Sequence, residues 1–332
     1  MSNMNGKRGG LWWKLLLWLL PAAFLLIFFY QPLTAILRLA FSMRAEGGGQ
    51  SFLPGLAAKT FAFTLWQAVL STLLTLVIGL PAAYLFSHYE FAGRKFLRLI
   101  ALLPFILPTV VVAVSFNSLL GPRGWLNVGL MALFGLSEPP VRLLNSLPAI
   151  LLAHVFYNSS IIIRIVGGAW SRLDQKLTQA AQMLGANPWQ VFWEVTFPLL
   201  LPAAAGASLL VFLFDFTSFG VVLMLGGPAF ATLEVEIYTQ ALYLFNLPLA
   251  GLLSLIQLAF TLLVAWAHNR VSLPRYGKAA LSAEKANLRP PRTKKEKVFT
   301  FVTAAVLIAL LLLPLLSLVT RSLVSLEAER GE

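Results

Sequence analysis

The sequence predicts an all-α polytopic membrane protein, and three observations carry this prediction. The chain has 332 residues, of which 58% are hydrophobic and only 11% are charged, which is not the composition of a soluble globular domain. Several apolar segments reach the roughly 20 residues that a membrane-spanning helix needs. Lys and Arg are concentrated in every second loop between these segments, which is typical of a multi-pass membrane protein.

Seven apolar segments qualify as membrane spans. They lie at about 12–37, 61–86, 97–120, 143–167, 200–225, 249–268 and 298–320. The first is too long for a signal peptide and lacks a small-residue cleavage pattern, so we expect it to be retained as an anchor. The apolar stretch from Leu126 to Leu136 is too short to span and predicts a re-entrant or surface helix on the outer side. In the third span, Pro104 and Pro108 indicate either a break that frees carbonyls towards a cavity or a simple kink.

Basic residues predict the orientation of these spans. They precede the first span and follow the second, fourth and sixth: Lys7, Arg8 and Lys14; Arg94, Lys95 and Arg98; Arg172 and Lys176; and those between Arg270 and Lys297. The other loops hold no comparable excess, so the positive-inside rule places the N-terminus in the cytoplasm. These loops account for the formal net charge of +12, and we therefore do not expect nucleic-acid binding.

Residues 272–297 are polar and basic and contain proline, which predicts a cytoplasmic linker between two membrane units or a basic tail attracted to anionic lipid. The span after this linker ends with Pro314 to Ser325, which weakly repeats the end of the first span, Pro32 to Ser42. We therefore expect the seventh helix to begin a second copy of the same unit. Chance similarity between two apolar helices is the alternative.

Residue types that carry catalysis or bind metals are scarce. The chain contains no cysteine, and His88, His154 and His268 lie far apart without metal-ligand spacing. Neither the H-E-x-x-H nor the G-x-S-x-G pattern occurs. We expect no catalytic residue and no metal site, and an intramembrane enzyme is disfavoured.

The segment from Asp174 to Pro198 is the most informative polar stretch between two spans. Helical spacing puts four apolar residues on one face of a first helix: Leu177, Ala180, Ala181 and Leu184. Gly185 predicts the end of that helix, and Asn187 and Pro188 suit the start of a second one before Pro198 starts the fifth span. The pattern predicts a helix-turn-helix on the cytoplasmic surface, which either binds a partner or rests on lipid head groups.

Part of this segment resembles the EAA signature of the permease subunits of binding-protein-dependent ABC importers. The matching positions are Gln179, Ala180, Ala181, Gly185, Val195 and Pro198. Gln179 stands where the signature has glutamate, which removes a charge that could pair with a basic residue on an ATPase. Val195 replaces isoleucine and Phe197 replaces leucine, and both substitutions keep the apolar character.

The resemblance extends from about Phe61 to Trp266 and implies the fold of a type-I transmembrane domain. The whole chain would then have six core helices and a seventh helix at its C-terminal end. The domain organisation it implies is an N-terminal helix and periplasmic connection at 1–60, the transmembrane domain at 61–268, a linker at 269–297 and the start of a truncated second copy at 298–332. Further local segments resemble the fused, double-length permeases for thiamine and ferric iron, and their sequences are more similar to the thiamine type. These segments are 65–71, 121–126, 151–158, 225–228 and 236–242.

By resemblance, the chain is expected to be an inner-membrane permease subunit that moves a small solute of the thiamine or ferric iron class by alternating access. A coupling loop would sit in a groove of a cytoplasmic ABC ATPase dimer: Gln179, Ala180, Ala181, Leu184, Gly185, Val195 and Pro198. The chain has no Walker A pattern, so ATP and Mg are expected on the ATPase and no cofactor on this chain. The other expected partners are a second transmembrane domain, an external substrate-binding protein and the lipid bilayer.

Polar side chains inside the predicted spans are few, and each is costly in hydrocarbon unless it has a partner or lines a pathway. We expect five to line the translocation path: Asn117, Asn158, Ser159, Asp215 and Ser218. Hydrogen bonding between helices is the alternative for all of these except Asp215. His154 has no carboxylate near it in sequence, so it is interpreted as a packing or hydrogen-bonded residue. A secondary transporter is the competing function, for which Asp215 is the one confident acidic candidate at mid-membrane.

Overall fold

The computed structural model describes residues 17–42, 52–272 and 288–330, and within these ranges the chain forms helices and loops with no β-strand. The helices are α1 (Leu17–Arg38), α2 (Phe52–His88), α3 (Arg94–Ile100), α4 (Thr109–Leu120), α5 (Trp125–Phe134), α6 (Leu147–Trp170), α7 (Gln175–Met183), α8 (Pro188–Phe216), α9 (Gly220–Leu225), α10 (Leu233–Tyr238), α11 (Leu247–Ser272) and α12 (Lys294–Arg330). The all-α fold class is confirmed. The basic residues before position 15 and the linker residues 273–287 lie outside the described residues.

Six described helices are long and apolar enough to cross a membrane, namely α1, α2, α6, α8, α11 and α12. A seventh candidate is a broken span, in which Arg94–Phe105 and Thr109–Phe134 meet at an angle of 113°. The break rather than the simple kink is therefore present in the third predicted span. Pro108 itself has extended backbone angles, φ −60° and ψ 142°. A proline also disfavours helical geometry at the residue before it, here Leu107, so the helix is interrupted at this point.

The helix of the fifth span begins and ends earlier than the predicted range of 200–225. α8 runs without interruption from Pro188 to Phe216, so the prediction that Pro198 starts this span was wrong. The turn before Pro198 is a π-helix, Val191–Thr196, in which the Phe197 N–H donates to the Phe192 carbonyl. A π-helical turn is wider than an α-helical one, so it relieves the clash that proline makes inside a regular helix.

The chain forms two compact units, and the candidate site lies in the unit built from Thr60–Val235 and Thr261–Glu332. α6 is its central helix, with 78% of its apolar window buried. Phe116 on α4 and Phe156 on α6 are in the main hydrophobic core. Small residues let the spans approach closely, because Gly79 on α2 lies directly against Ile162 on α6.

The seventh predicted helix, α12, packs within this same unit. Leu307 and Leu311 are buried in its main core. The Ser317 hydroxyl donates a hydrogen bond of 3.2 Å to the Ser115 carbonyl on α4. Whether α12 is also the first helix of a second sequence copy stays a prediction.

The end of the basic linker is tied to the end of α2. The Arg289 N–H donates to the His88 carbonyl at 3.1 Å, and the Glu90 N–H donates to the Arg289 carbonyl at 3.0 Å. α12 then starts with a capping box, in which Glu296 N–H donates to the Thr293 hydroxyl and Thr293 N–H donates to the Glu296 carboxylate. This part of the predicted linker therefore has a defined structure.

The other unit comprises the described parts of Met1–Lys59 together with Glu236–Phe260. The Gln240 side chain donates a hydrogen bond of 2.7 Å to the Glu236 carboxylate. Leu249 and Leu253 at the start of α11 are buried, whereas none of the apolar window of α1 is buried.

Candidate functional site

The polar segment between α6 and α8 forms the helix and turn that its sequence predicts. Asp174 caps α7, because its carboxylate accepts a hydrogen bond of 2.9 Å from the Lys176 N–H. α7 ends at Met183, one residue earlier than its apolar pattern suggested. Leu184 therefore lies just after the helix and not on the helical face that the sequence predicted for it.

Gly185 ends α7 in a Schellman motif. Its backbone has φ +91°, a left-handed conformation that glycine adopts without steric cost. The Gly185 N–H donates to the Gln182 carbonyl at 3.0 Å, and the Ala186 N–H donates to the Ala181 carbonyl at 3.1 Å. These two bonds define the motif and satisfy carbonyls at the helix end.

A capping box begins α8 immediately afterwards. The Asn187 side-chain oxygen accepts from the Gln190 N–H, and the Gln190 side-chain oxygen accepts from the Asn187 N–H, both at 2.9 Å. Pro188 occupies the first turn, where its missing N–H costs nothing. α7 and α8 are thus joined by a short connection with fixed geometry at both ends.

The turn between α7 and α8 exposes large apolar side chains. Met183 is 89% exposed, Leu184 is 90% exposed and Trp189 is 70% exposed. Four of the predicted coupling residues are exposed, namely Gln179, Ala180, Leu184 and Gly185. The other three are half-buried, namely Ala181, Val195 and Pro198. Exposed apolar side chains grouped in this way are typical of a surface that binds a partner or a membrane.

Aromatic rings connect this segment to the spans. The Trp193 and Phe197 ring centroids are 4.9 Å apart on α8, and Phe192 lies 6.5 Å from Trp170 at the end of α6. Trp170 in turn packs edge-on against Tyr84 of α2, with centroids 5.1 Å apart. These rings line an apolar groove of about 560 Å³.

A buried polar cluster lies among α2, α6 and α8. The His154 ring is at its centre, with Nδ1 2.9 Å from the Ser71 hydroxyl and Nε2 2.8 Å from the Ser218 hydroxyl. His154 Nδ1 also lies 3.4 Å from Oδ1 of Asp215. The interpretation of His154 as hydrogen-bonded is confirmed, and the fold supplies a neighbouring carboxylate that is distant in sequence.

Asp215 is fully buried in this cluster. Its Oδ1 accepts a hydrogen bond of 2.6 Å from the Asn158 amide. The Gln67 amide donates at 2.8 Å to the backbone carbonyl of Asp215, one of the carbonyls that the end of α8 at Phe216 leaves without a helical partner. Oδ2 of Asp215 has no hydrogen-bond partner among the described residues.

Of the five residues predicted to line the translocation path, three lie in the polar cluster and two lie outside it. Asn158, Asp215 and Ser218 meet in the cluster. Ser159 is buried and donates to the Phe156 carbonyl of its own helix, and Asn117 is exposed beside Gly121. The structure therefore does not bring Asn117 or Ser159 to the cluster.

Sequence reasoning did not select Gln67, Ser71 or His154 for this site. A usable signal exists, because Gln67 and Ser71 are four residues apart, as are His154 and Asn158. Residues at this spacing lie on one face of a helix. Two such polar pairs on otherwise apolar spans indicate helix faces that meet.

A cavity of about 390 Å³ adjoins the cluster. Its polar lining is Thr109, His154, Tyr157, Asn158, Asp215, Thr217 and Ser218, and its aromatic lining includes Phe105, Phe214 and Phe219. Thr109 follows the break in the third span, and residues 217–219 form the break between α8 and α9. Interrupted helices are tolerated at membrane depth where the backbone is buried in protein or lines a cavity.

Interrupted membrane-spanning helices around a polar cavity are typical of transport proteins. Comparison with known families supports this class. Residues 75–273 match the family described as binding-protein-dependent transport system inner membrane component. The chain belongs to this family of multi-pass membrane permeases, which confirms the resemblance read from the EAA-like positions.

Two curated relatives narrow the comparison. The chain is 32% identical over 264 residues to the thiamine transport system permease protein ThiP of Haemophilus influenzae, covering 79% of this chain and 48% of that protein. It is 30% identical over 253 residues to the putative 2-aminoethylphosphonate transport system permease protein PhnU of Salmonella typhimurium, covering 74% of this chain and 88% of that protein. The chain therefore spans about half the length of the thiamine permease and most of the length of the other.

A solved structure confirms the fold. A chain in the crystal structure of a bacterial alginate ABC transporter, in complex with an alginate pentasaccharide-bound periplasmic protein, superposes with a TM-score of 0.63. The match covers 82% of this chain and 98% of that chain at 21% sequence identity.

Proposed function

We propose that this chain is the permease subunit of an ATP-driven importer, which moves a small solute across the inner membrane by alternating access. In this proposal α7 and the turn to α8 dock on a cytoplasmic ABC ATPase dimer. The observation that carries the proposal is the exposed apolar turn, in which Met183 and Leu184 are 89% and 90% exposed on a backbone fixed by two capping motifs. ATP and Mg would be bound by the ATPase.

The connection between α7 and α8 supports a mechanical role. The Schellman motif at Gly185 and the capping box at Asn187 leave little freedom between the two helices. α8 then continues to Phe216 and carries Asp215 at its end. A displacement of α7 by the ATPase would therefore be passed along one stiff helix to the polar cluster.

The remaining partners follow from the same proposal. A second transmembrane domain, fused or on another subunit, would complete the pathway, and an external binding protein would deliver the solute. The N-terminus would be cytoplasmic. Arg172 precedes α7 and Lys176 lies in its first turn, and the other basic loops fall on the same side of the membrane when the spans are counted along the chain.

The names of the relatives guide the choice of substrate class. One relative is a thiamine permease and the other is a putative 2-aminoethylphosphonate permease. We infer that this chain also carries a small polar solute. The ferric iron class stays a prediction from sequence resemblance.

Binding of the ATPase tests the proposal directly. Leu184→Glu places a carboxylate in the exposed turn and should abolish co-purification of the full chain with its ATPase, because the apolar contact is lost. Leu133→Glu is the matched control, since it makes the same substitution at another exposed leucine, which is 75% exposed in α5 and lies outside the proposed docking segment. Equal co-purification of both variants would contradict the docking role. Solute uptake by vesicles that contain this chain without ATPase or ATP would instead establish a secondary transporter.

A further inference from the structure

We propose that the cavity beside His154 and Asp215 binds a small zwitterion, with its ammonium group towards Asp215 and its oxyanion towards the N-terminus of α4. This inference rests on the proposed function and names the substrate class. It is carried by two opposite electrostatic features in the lining of one cavity of about 390 Å³.

The cationic end of the ligand is matched by Asp215. The carboxylate is fully buried, and its Oδ2 has no hydrogen-bond partner among the described residues. The residues that line the cavity include no Lys or Arg. A buried carboxylate without a compensating cation takes up a proton, whereas a nearby positive charge favours its ionised form, whose field acts over several ångströms at low dielectric. A positive group in the cavity would therefore be attracted even without direct contact.

His154 does not need to supply that positive charge. Its two ring nitrogens lie within hydrogen-bond distance of Ser71 and Ser218. A neutral imidazole has one donor and one acceptor, and a serine hydroxyl can serve either role. A neutral ring can therefore make both hydrogen bonds of His154, which leaves Asp215 without a positive partner among the residues that line the cavity.

The anionic end of the ligand is matched by the start of α4. This helix begins at Thr109 after the break in the third span, and no side chain caps it. The N–H groups of its first turn have no partner within the helix, and the helix dipole adds a partial positive charge there. Thr109 lines the cavity and is exposed. Its hydroxyl lies beside Gly220, where a Cβ would come within 2.7 Å of Oγ1, so the absence of a side chain keeps this corner open.

The two features together predict discrimination against molecules with a single charge. An analogue without the ammonium group leaves the carboxylate unmatched, and one without the oxyanion leaves the helix start unmatched. Sites built for a polar group reject analogues that lack it more strongly than they reject a change in apolar size. We expect each single-charge analogue to bind at least about tenfold more weakly than the zwitterion.

The test uses the full chain in lipid nanodiscs, without ATPase or ATP, and measures binding by titration calorimetry. The probes are 2-aminoethylphosphonate, propylphosphonate, which lacks the ammonium group, and propylamine, which lacks the oxyanion. The wild type should prefer the zwitterion to both analogues. Asp215→Asn should bind the zwitterion and propylphosphonate equally, whereas Glu138→Gln, which removes an exposed carboxylate paired with Arg142, should behave as wild type.

Thr109→Lys is the second variant, because Asp215→Asn alters a buried cluster and Thr109 is exposed. A lysine there would place a fixed positive charge in the cavity that Asp215 also lines, so binding of the zwitterion and of propylamine should be lost while propylphosphonate still binds. No binding of 2-aminoethylphosphonate by the wild type, or an unchanged preference in Asp215→Asn, overturns the inference. Failure of the proposed function would be distinguishable, because the wild-type chain would then bind the zwitterion in nanodiscs but show no ATP-driven uptake.

Discussion

Replacing Gly185 by alanine should weaken binding of the ATPase while the membrane core stays folded. Gly185 has φ +91° at the end of α7, and a residue with a Cβ costs about 1–2 kcal/mol in left-handed geometry. The added Cβ would meet no other part of the chain within 4 Å, so the cost comes from the local backbone and not from packing against other residues. If the free variant relaxes out of this geometry and docking requires it, the same free energy is subtracted from binding, which corresponds to about a 5–30-fold loss of affinity.

The affinity of the purified ATPase for the full chain in nanodiscs, measured by biolayer interferometry, gives this ratio. Gly129→Ala is the matched control, because Gly129 also has nothing within 4 Å of its added Cβ but lies in α5 without a left-handed backbone. The control should change affinity by no more than about twofold. An unchanged affinity for Gly185→Ala would refute the reasoning that the end of α7 is part of the docking surface.

Two further predictions concern the stability of the membrane core, and unfolding in detergent measures both. Gly79→Ala should destabilise the chain by about 1–3 kcal/mol, because the new Cβ would lie 2.7 Å from Cβ of Ile162. Gly168→Ala, with nothing within 4 Å of the added Cβ, should not destabilise the chain, because alanine is favoured over glycine inside a helix by about 0.5–1 kcal/mol, and equal effects of the two substitutions would argue against close packing of α2 and α6. Gln67→Leu should cost about 1–3 kcal/mol, since it removes the donor to the Asp215 carbonyl, and an unchanged stability would show that this carbonyl finds another partner.

Features that depend on neighbouring residues were predictable from the sequence. The spans follow from long apolar runs, because hydrocarbon requires about 20 such residues whatever the fold. Gly185, Asn187 and Pro188 act on backbone groups within four residues of themselves, so the helix end and the next helix start were correctly predicted. The continuity of α8 through Pro198 was not, because a π-helical turn leaves no recognised sequence pattern.

Features that depend on tertiary contact were only partly predictable. Asn158 and Asp215 are 57 residues apart in sequence, and Ser71 and His154 are 83 apart. The cost of polar groups in hydrocarbon indicated that Asp215 needs a partner, but hydropathy cannot identify that partner. No carboxylate lies near His154 in the sequence, but folding brings Asp215 to within 3.4 Å of its ring. The assignment of a translocation path stays a prediction.

The position of the breaks links the coupling turn to the cavity. On the proposed function, force enters at the turn before Pro188 and travels along α8, which is helical as far as Phe216. A continuous helix transmits displacement with little bending, so the change in backbone angles falls on the next non-helical residues, 217–219. These residues line the cavity, as does Thr109 at the break in the third span. Movement at the turn would therefore alter the distance between Asp215 and the start of α4, the two groups that we propose hold the opposite ends of the ligand.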